Sequence, residues 1–152
     1  MEKNVVKNIL ADTDLRQNLI KLKGSMTSTD TLEGPIVEKL CDCLTHEDPK
    51  VRKNAALLLG YTKNPLMASV LLDAYKNEKK DFVKDAYLKG MSRYDCKRYI
   101  KELQEIQNEL MNSEVVDSKH IKAQLKVLNP MIRSYSYHKK KSIRLLHKEV
   151  DV

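Results

Sequence analysis

Stretches in which apolar residues recur every three or four positions alternate with short polar joints along most of this chain, the signature of amphipathic helices. In IVEKLCDCL the apolar positions Val37, Leu40, Cys41 and Leu44 fall at i, i+3, i+4 and i+7, and in MASVLLDAY the positions Ala68, Leu71, Leu72 and Tyr75 repeat that spacing. Each is followed by a second one-sided helix, carrying Val51, Ala55, Leu58 and Leu59 in the first case and Val83, Tyr87, Gly90 and Met91 in the second. The pairs recur at 31 to 32 residues. A single helical hairpin cannot bury its apolar face, so such self-similarity predicts hairpins stacked one on the next.

Weaker stripes flank these pairs. Val6, Ile9 and Leu10, then Leu15, Leu19, Ile20 and Leu22, predict an N-terminal pair over residues 3–10 and 13–23, followed by the polar stretch GSMTSTDTLEG. Downstream, Asp95 is placed to cap a helix bearing Tyr99, Leu103, Ile106 and Leu110. Another helix over about 117–129 carries Ile121, Leu125 and Leu128, and Pro130 is expected to stop it. The predicted fold is all-α: a short superhelix of stacked antiparallel hairpins, about seven helices, filling residues 1–129. Residues 130–152 are expected to form a basic extension, a tail or the start of a strand. Its apolar alternation at Val150 and Val152 suggests a lead into a further domain.

The sharpest boundary is DPKVRKNAALLLG. Asp48 can accept hydrogen bonds from the free amides of a first helical turn, and Pro49 sits where its missing N–H is harmless. Gly60 is expected to end that helix in a left-handed conformation. Asp48, Val51, Arg52, Ala55, Ala56, Leu59 and Gly60 together resemble the second helix of a HEAT repeat, which begins Asp-x-x-Val-Arg and runs through paired alanines to Leu-Gly. The next repeat, KDFVKDAYLKGM, keeps Val83 and a basic residue at Lys84 but has Lys80 in place of the Asp and Tyr87-Leu88 in place of the alanines. The resemblance covers roughly residues 35–92, with a repeat shorter than the roughly 40 to 47 residues usual in HEAT stacks. It implies that Asp48 and Arg52 make hydrogen bonds and ion pairs between neighbouring turns, a structural role.

Composition narrows the picture. Four Gly, four Pro, one Phe and no Trp in a 152-residue chain disfavour a β-sandwich or barrel. No apolar run approaches a membrane span and MEKNVVKN has no signal-peptide core, so a cytoplasmic chain is expected. Cys41, Cys43 and Cys96 have no framework spacing; two sulfurs at i and i+2 of a helix diverge, and small buried apolar residues are a better reading than a metal or redox site. Glycines at 24, 34, 60 and 90 make no phosphate-cradling loop, and His46, His120, His138 and His147 have no ligand-spaced partners. Neither a catalytic constellation, a cofactor nor a small-molecule substrate is indicated.

The charge is where function shows. The chain has 28 Lys and Arg against 21 Asp and Glu, a net +7, yet residues 113–152 alone hold nine basic and four acidic residues. Between 119 and 148 there are nine Lys or Arg and no acid. Lys119, Lys122 and Lys126 form a helical stripe, and Arg133, Tyr135, Tyr137, His138, Lys139, Lys140, Lys141 and Arg144 mix cations with planar rings, a combination suited to a nucleic-acid backbone and stacked bases. RNA or another polyanion is the expected partner, with a stand-alone scaffold for a protein partner as the alternative. The helical pair followed by DPKVRKNAALLLG and FVKDAYLKGM also resembles the HEAT-like N-terminal region of bacterial S-adenosylmethionine-dependent RNA methyltransferase-like proteins. That resemblance implies an RNA-holding accessory region beside a catalytic part that this chain does not contain. A HEAT-like alkylpurine DNA glycosylase is disfavoured, because it would require a longer array and an aromatic and acidic site, and there is no Trp.

Overall fold

The computed structural model describes residues 3–114 and 118–150, with side chains described for 3–114 and 118–135. Among these residues the secondary structure is entirely helical, with eight α-helices where the apolar pattern counts about seven. They are α1 (Lys3–Leu10), α2 (Leu15–Ser25), α3 (Pro35–Cys43), α4 (Pro49–Leu58), α5 (Leu66–Asn77), α6 (Asp81–Met91), α7 (Ile100–Met111) and α8 (Lys119–Val150), with short 3-10 turns at Leu59–Tyr61 and Lys97–Tyr99. Packing divides the chain into two compact units, Met1–Asp95 and Cys96–Val152.

In the first unit α1 and α2, α3 and α4, and α5 and α6 form three hairpins. The second helices α2, α4 and α6 pack in succession, and α1 lies against α3. The core between the layers is Ile9, Leu19, Leu22, Leu40, Val51, Ala55, Leu58, Leu71, Val83, Tyr87 and Met91, all essentially excluded from solvent. The α3 stripe is turned from its expected setting: Ile36, Leu40 and Cys43 are buried, while Val37 and Cys41 are only half-covered. Burial pushes the Cys43 thiol up to about 11, the behaviour of a packed apolar residue.

Helix α4 begins as its residues dictate. The Asp48 carboxylate accepts the Lys50 N–H at 2.9 Å, Pro49 is the first helical residue, and Asp48 also lies 3.9 Å from Arg16 on α2. Arg52 joins two inter-helix loops. Its Nη1 donates to the carbonyls of His46 (2.8 Å) and Glu47 (3.2 Å), while Nε and Nη2 make a two-pronged pair with Glu78, each at 2.8 Å. Glu78, buried before α6, also accepts the Tyr87 hydroxyl at 3.0 Å and the N–H groups of Lys79 and Lys80 at 3.2 Å. That carboxylate orders the approach to α6, where Lys80 offers no capping side chain. Val83 is fully buried, and the Lys84 ammonium sits 5.6 Å from the centre of the Tyr75 ring.

Gly60 does not take the expected left-handed conformation, since Gly34 is the positive-φ glycine among the described residues. It lies instead in the 3-10 turn that ends α4, where the backbones of α4 and α6 nearly touch. A Cβ on Gly90 would stand 2.6 Å from the Ala56 carbonyl oxygen, and one on Gly60 would stand 3.3 Å from the Gly90 Cα. These glycines serve helix approach rather than chain reversal. The same turn is held by Tyr94, whose hydroxyl donates to the Leu59 carbonyl and accepts the Thr62 N–H at 3.2 Å.

In the second unit α7 and α8 form an antiparallel pair. Pro130 does not stop α8, and the extension expected as a tail or strand is helical through Val150. The expected division at 129/130 therefore falls inside one helix. Pro130 is exposed, so the Lys126 carbonyl that loses its helical N–H partner can be hydrated from the solvent side. The apolar stripe crosses the proline in phase: Ile121, Leu128, Met131 and Ile132 are all buried, with Gln124 in the same row. Gln107 on α7 donates to the Asn129 side-chain oxygen at 2.8 Å.

Candidate nucleic-acid interface

Helix α8 sets the candidate cations by its register. At 3.6 residues per turn, positions 119, 122, 126 and 133 fall within an arc of about 60°, opposite the row that includes Ile121, Leu128 and Ile132. Lys119, Lys122, Lys126 and Arg133 are accordingly exposed. From the first to the last the helix rises about 21 Å, the axial rise of about six phosphates on one strand.

Tyr135 does not belong to this surface. Its hydroxyl accepts the Cys96 N–H at 2.7 Å, and the half-buried residue falls within the row of Ile121, Leu128 and Ile132, on the side of α8 away from the cations. A phenol held by a backbone amide next to the 3-10 turn is a packing element, so Tyr135 is not placed as a stacking platform beside the exposed cations. Tyr137, His138, Lys139, Lys140, Lys141 and Arg144 fall on α8 beyond the residues with described side chains.

The first unit has concave features of its own. One is a groove of about 610 Å³ beside α3 and α5, whose apolar wall includes Cys41, Leu44, Val70 and Ala74 and whose polar lining includes Arg52, Glu78 and Tyr87. Burial raises the Cys41 thiol above its ordinary value, with Asp42 and Glu38 adding to the shift, so this half-covered cysteine is not an activated nucleophile. Among the described residues no group of three or more His, Cys, Asp or Glu is placed to hold a metal ion, and no helix is long and apolar enough to cross a membrane.

Three helical hairpins stacked through their second helices define a helical-repeat protein, a class whose members bind macromolecules along the stack. The HEAT repeats family matches residues 4–92, more than half of the chain, and the chain belongs to that family. The match takes in α1 and α2 as well as the two hairpins with the clearer sequence pattern. Neither the curated proteins nor the solved structures contain a match to this chain.

Proposed function

We propose that this HEAT-repeat chain is a non-catalytic binding module whose ligand is RNA, held through its phosphates by the exposed face of α8. The observation that carries this reading is the placement of Lys119, Lys122, Lys126 and Arg133 along one exposed helical face, in a segment without a single acid between 119 and 148. A row of cations at this density binds a polyanion by releasing its condensed counterions, a favourable term that needs no base-specific contact. The resemblance to the N-terminal region of bacterial RNA methyltransferase-like proteins makes RNA the first polyanion to test, with chemistry and cofactor supplied by a part outside this chain.

Charge reversal is the direct experiment. Lys119→Glu, Lys122→Glu and Lys126→Glu combined should abolish binding of a single-stranded RNA oligonucleotide at low salt, across all oligonucleotide sequences, with melting temperature little changed. Retained affinity in the triple variant refutes the α8 assignment. A second reading, capture of a protein segment, is favoured by the apolar wall of the 610 Å³ groove. Pull-down with and without nuclease separates the two, since capture that survives nuclease belongs to the protein reading.

A further inference from the structure

The cations of the repeat unit are not spread evenly, although their sum is nearly balanced by acids. Lys23 from the last turn of α2, Lys89 from the last turn of α6 and Arg93 just beyond it converge, with Leu57, Tyr61, Gly90 and Ser92, on a depression of about 320 Å³ that, among the described residues, no carboxylate lines. The three cations come from the first and third hairpins, and the second hairpin between them supplies the support. Asn54 on α4 is buried; its amide nitrogen donates to the Lys50 carbonyl at 3.0 Å, which turns its oxygen to accept the Lys23 ammonium at 3.1 Å. Arg93 is held at two points, with Nε donating to the Gly60 carbonyl at 2.9 Å and the guanidinium lying 4.1 Å from the centre of the Tyr61 ring. The close approach at Gly60 and Gly90 brings that carbonyl within reach.

Two of these cations lie in last helical turns, where a positive charge complements the helix dipole. That effect accounts for one lysine per helix end. It does not account for their convergence, because cations gathered without a carboxylate repel one another. Lys23 records the repulsion: burial, then the charges of Lys53 and Lys89, hold its ammonium below the ordinary lysine value. An anion in the depression would relieve all three.

We infer that the depression formed by Lys23, Lys89 and Arg93 is a phosphate site in the repeat unit, taking a phosphodiester of RNA. The site rests on the RNA reading for its source but not for its chemistry. The held Arg93 guanidinium and Lys23 ammonium suit the two non-bridging oxygens of a phosphodiester, which share its negative charge.

The test uses the full chain and two probes. Tripolyphosphate, followed by NMR, is expected to shift the Gly90 and Ser92 amides and the Arg93 Nε signal, and Lys23→Gln combined with Lys89→Gln is expected to remove those shifts while the spectrum stays folded. Absent shifts, or equal shifts in the double variant, overturn the site and leave dipole compensation as the role of these lysines. Single-stranded RNA is the second probe: the double variant should bind more weakly, with a salt slope shallower by about 1.4 for the two lost contacts. RNA binding insensitive to the double variant, with tripolyphosphate shifts intact, overturns RNA as the source. Loss of RNA binding only in the α8 triple variant would leave the α8 reading standing and this one refuted.

Discussion

Arg52 shows how much of the repeat stack hangs on single side chains. It satisfies two loop carbonyls on its own hairpin and a buried carboxylate on the next, with its side chain 16% exposed and that of Glu78 5%. Removing one partner strands the other, so Arg52→Ala should lower unfolding free energy by about 3 kcal/mol in denaturant melts while leaving RNA affinity near the parent's. Unchanged stability would contradict the structural role. The pair also predicts an acid response. Burial alone pushes the Glu78 carboxyl up, but the bonds from Arg52, the Lys80 N–H and the Tyr87 hydroxyl outweigh it and hold the group below its ordinary value. A carboxyl depressed in this way contributes stability in full above its unfolded value and loses it as pH falls through the folded one. Melting temperature should therefore drop as pH falls below about 4.5, and Glu78→Gln, less stable at neutral pH, should show a flatter profile in that window. Glycines divide by surroundings. Gly90→Ala, whose Cβ meets backbone, should destabilise by about 1–3 kcal/mol. Gly24→Ala, in open space on α2, should stabilise by about 0.4–1 kcal/mol. Equal effects in thermal melts would contradict the close α4–α6 contact.

At the scale of elements, α8 carries the sharpest expectation. A proline within a helix is about 3 kcal/mol less favourable than alanine, so Pro130→Ala should raise the stability of the α7–α8 unit by up to about that amount. Unchanged or reduced stability would mean that residue 130 marks a break rather than a tolerated interior position. The same helix explains what could and could not be read beforehand. α4 was legible because Asp48, Pro49 and the stripe from Val51 to Leu59 are local signals that agree with one another. In α8 the local stop signal at Pro130 conflicts with the in-phase row through Met131 and Ile132, and the longer-range row prevails. Other features had no local signature at all. Glu78 meets Arg52 across 26 positions, Tyr135 reaches Cys96 across 39, and the purpose of Gly60 depends on Gly90 in the next hairpin. Such contacts exist only once hairpins are stacked, and the meeting of Lys23 with Lys89 and Arg93 is of the same kind.

For the whole molecule, a net charge of +7 resolves into located surfaces: an exposed row on α8 and a compact cluster on a repeat unit whose charges otherwise nearly cancel. RNA binding through the phosphates at these surfaces is the proposed activity. It is tested most directly by fluorescence anisotropy of a labelled single-stranded RNA oligonucleotide with the full chain, repeated across a salt series. If about six phosphates are neutralised, log affinity falls against log salt with a slope of about −4. Salt-independent binding, or no binding at low salt, would contradict the account.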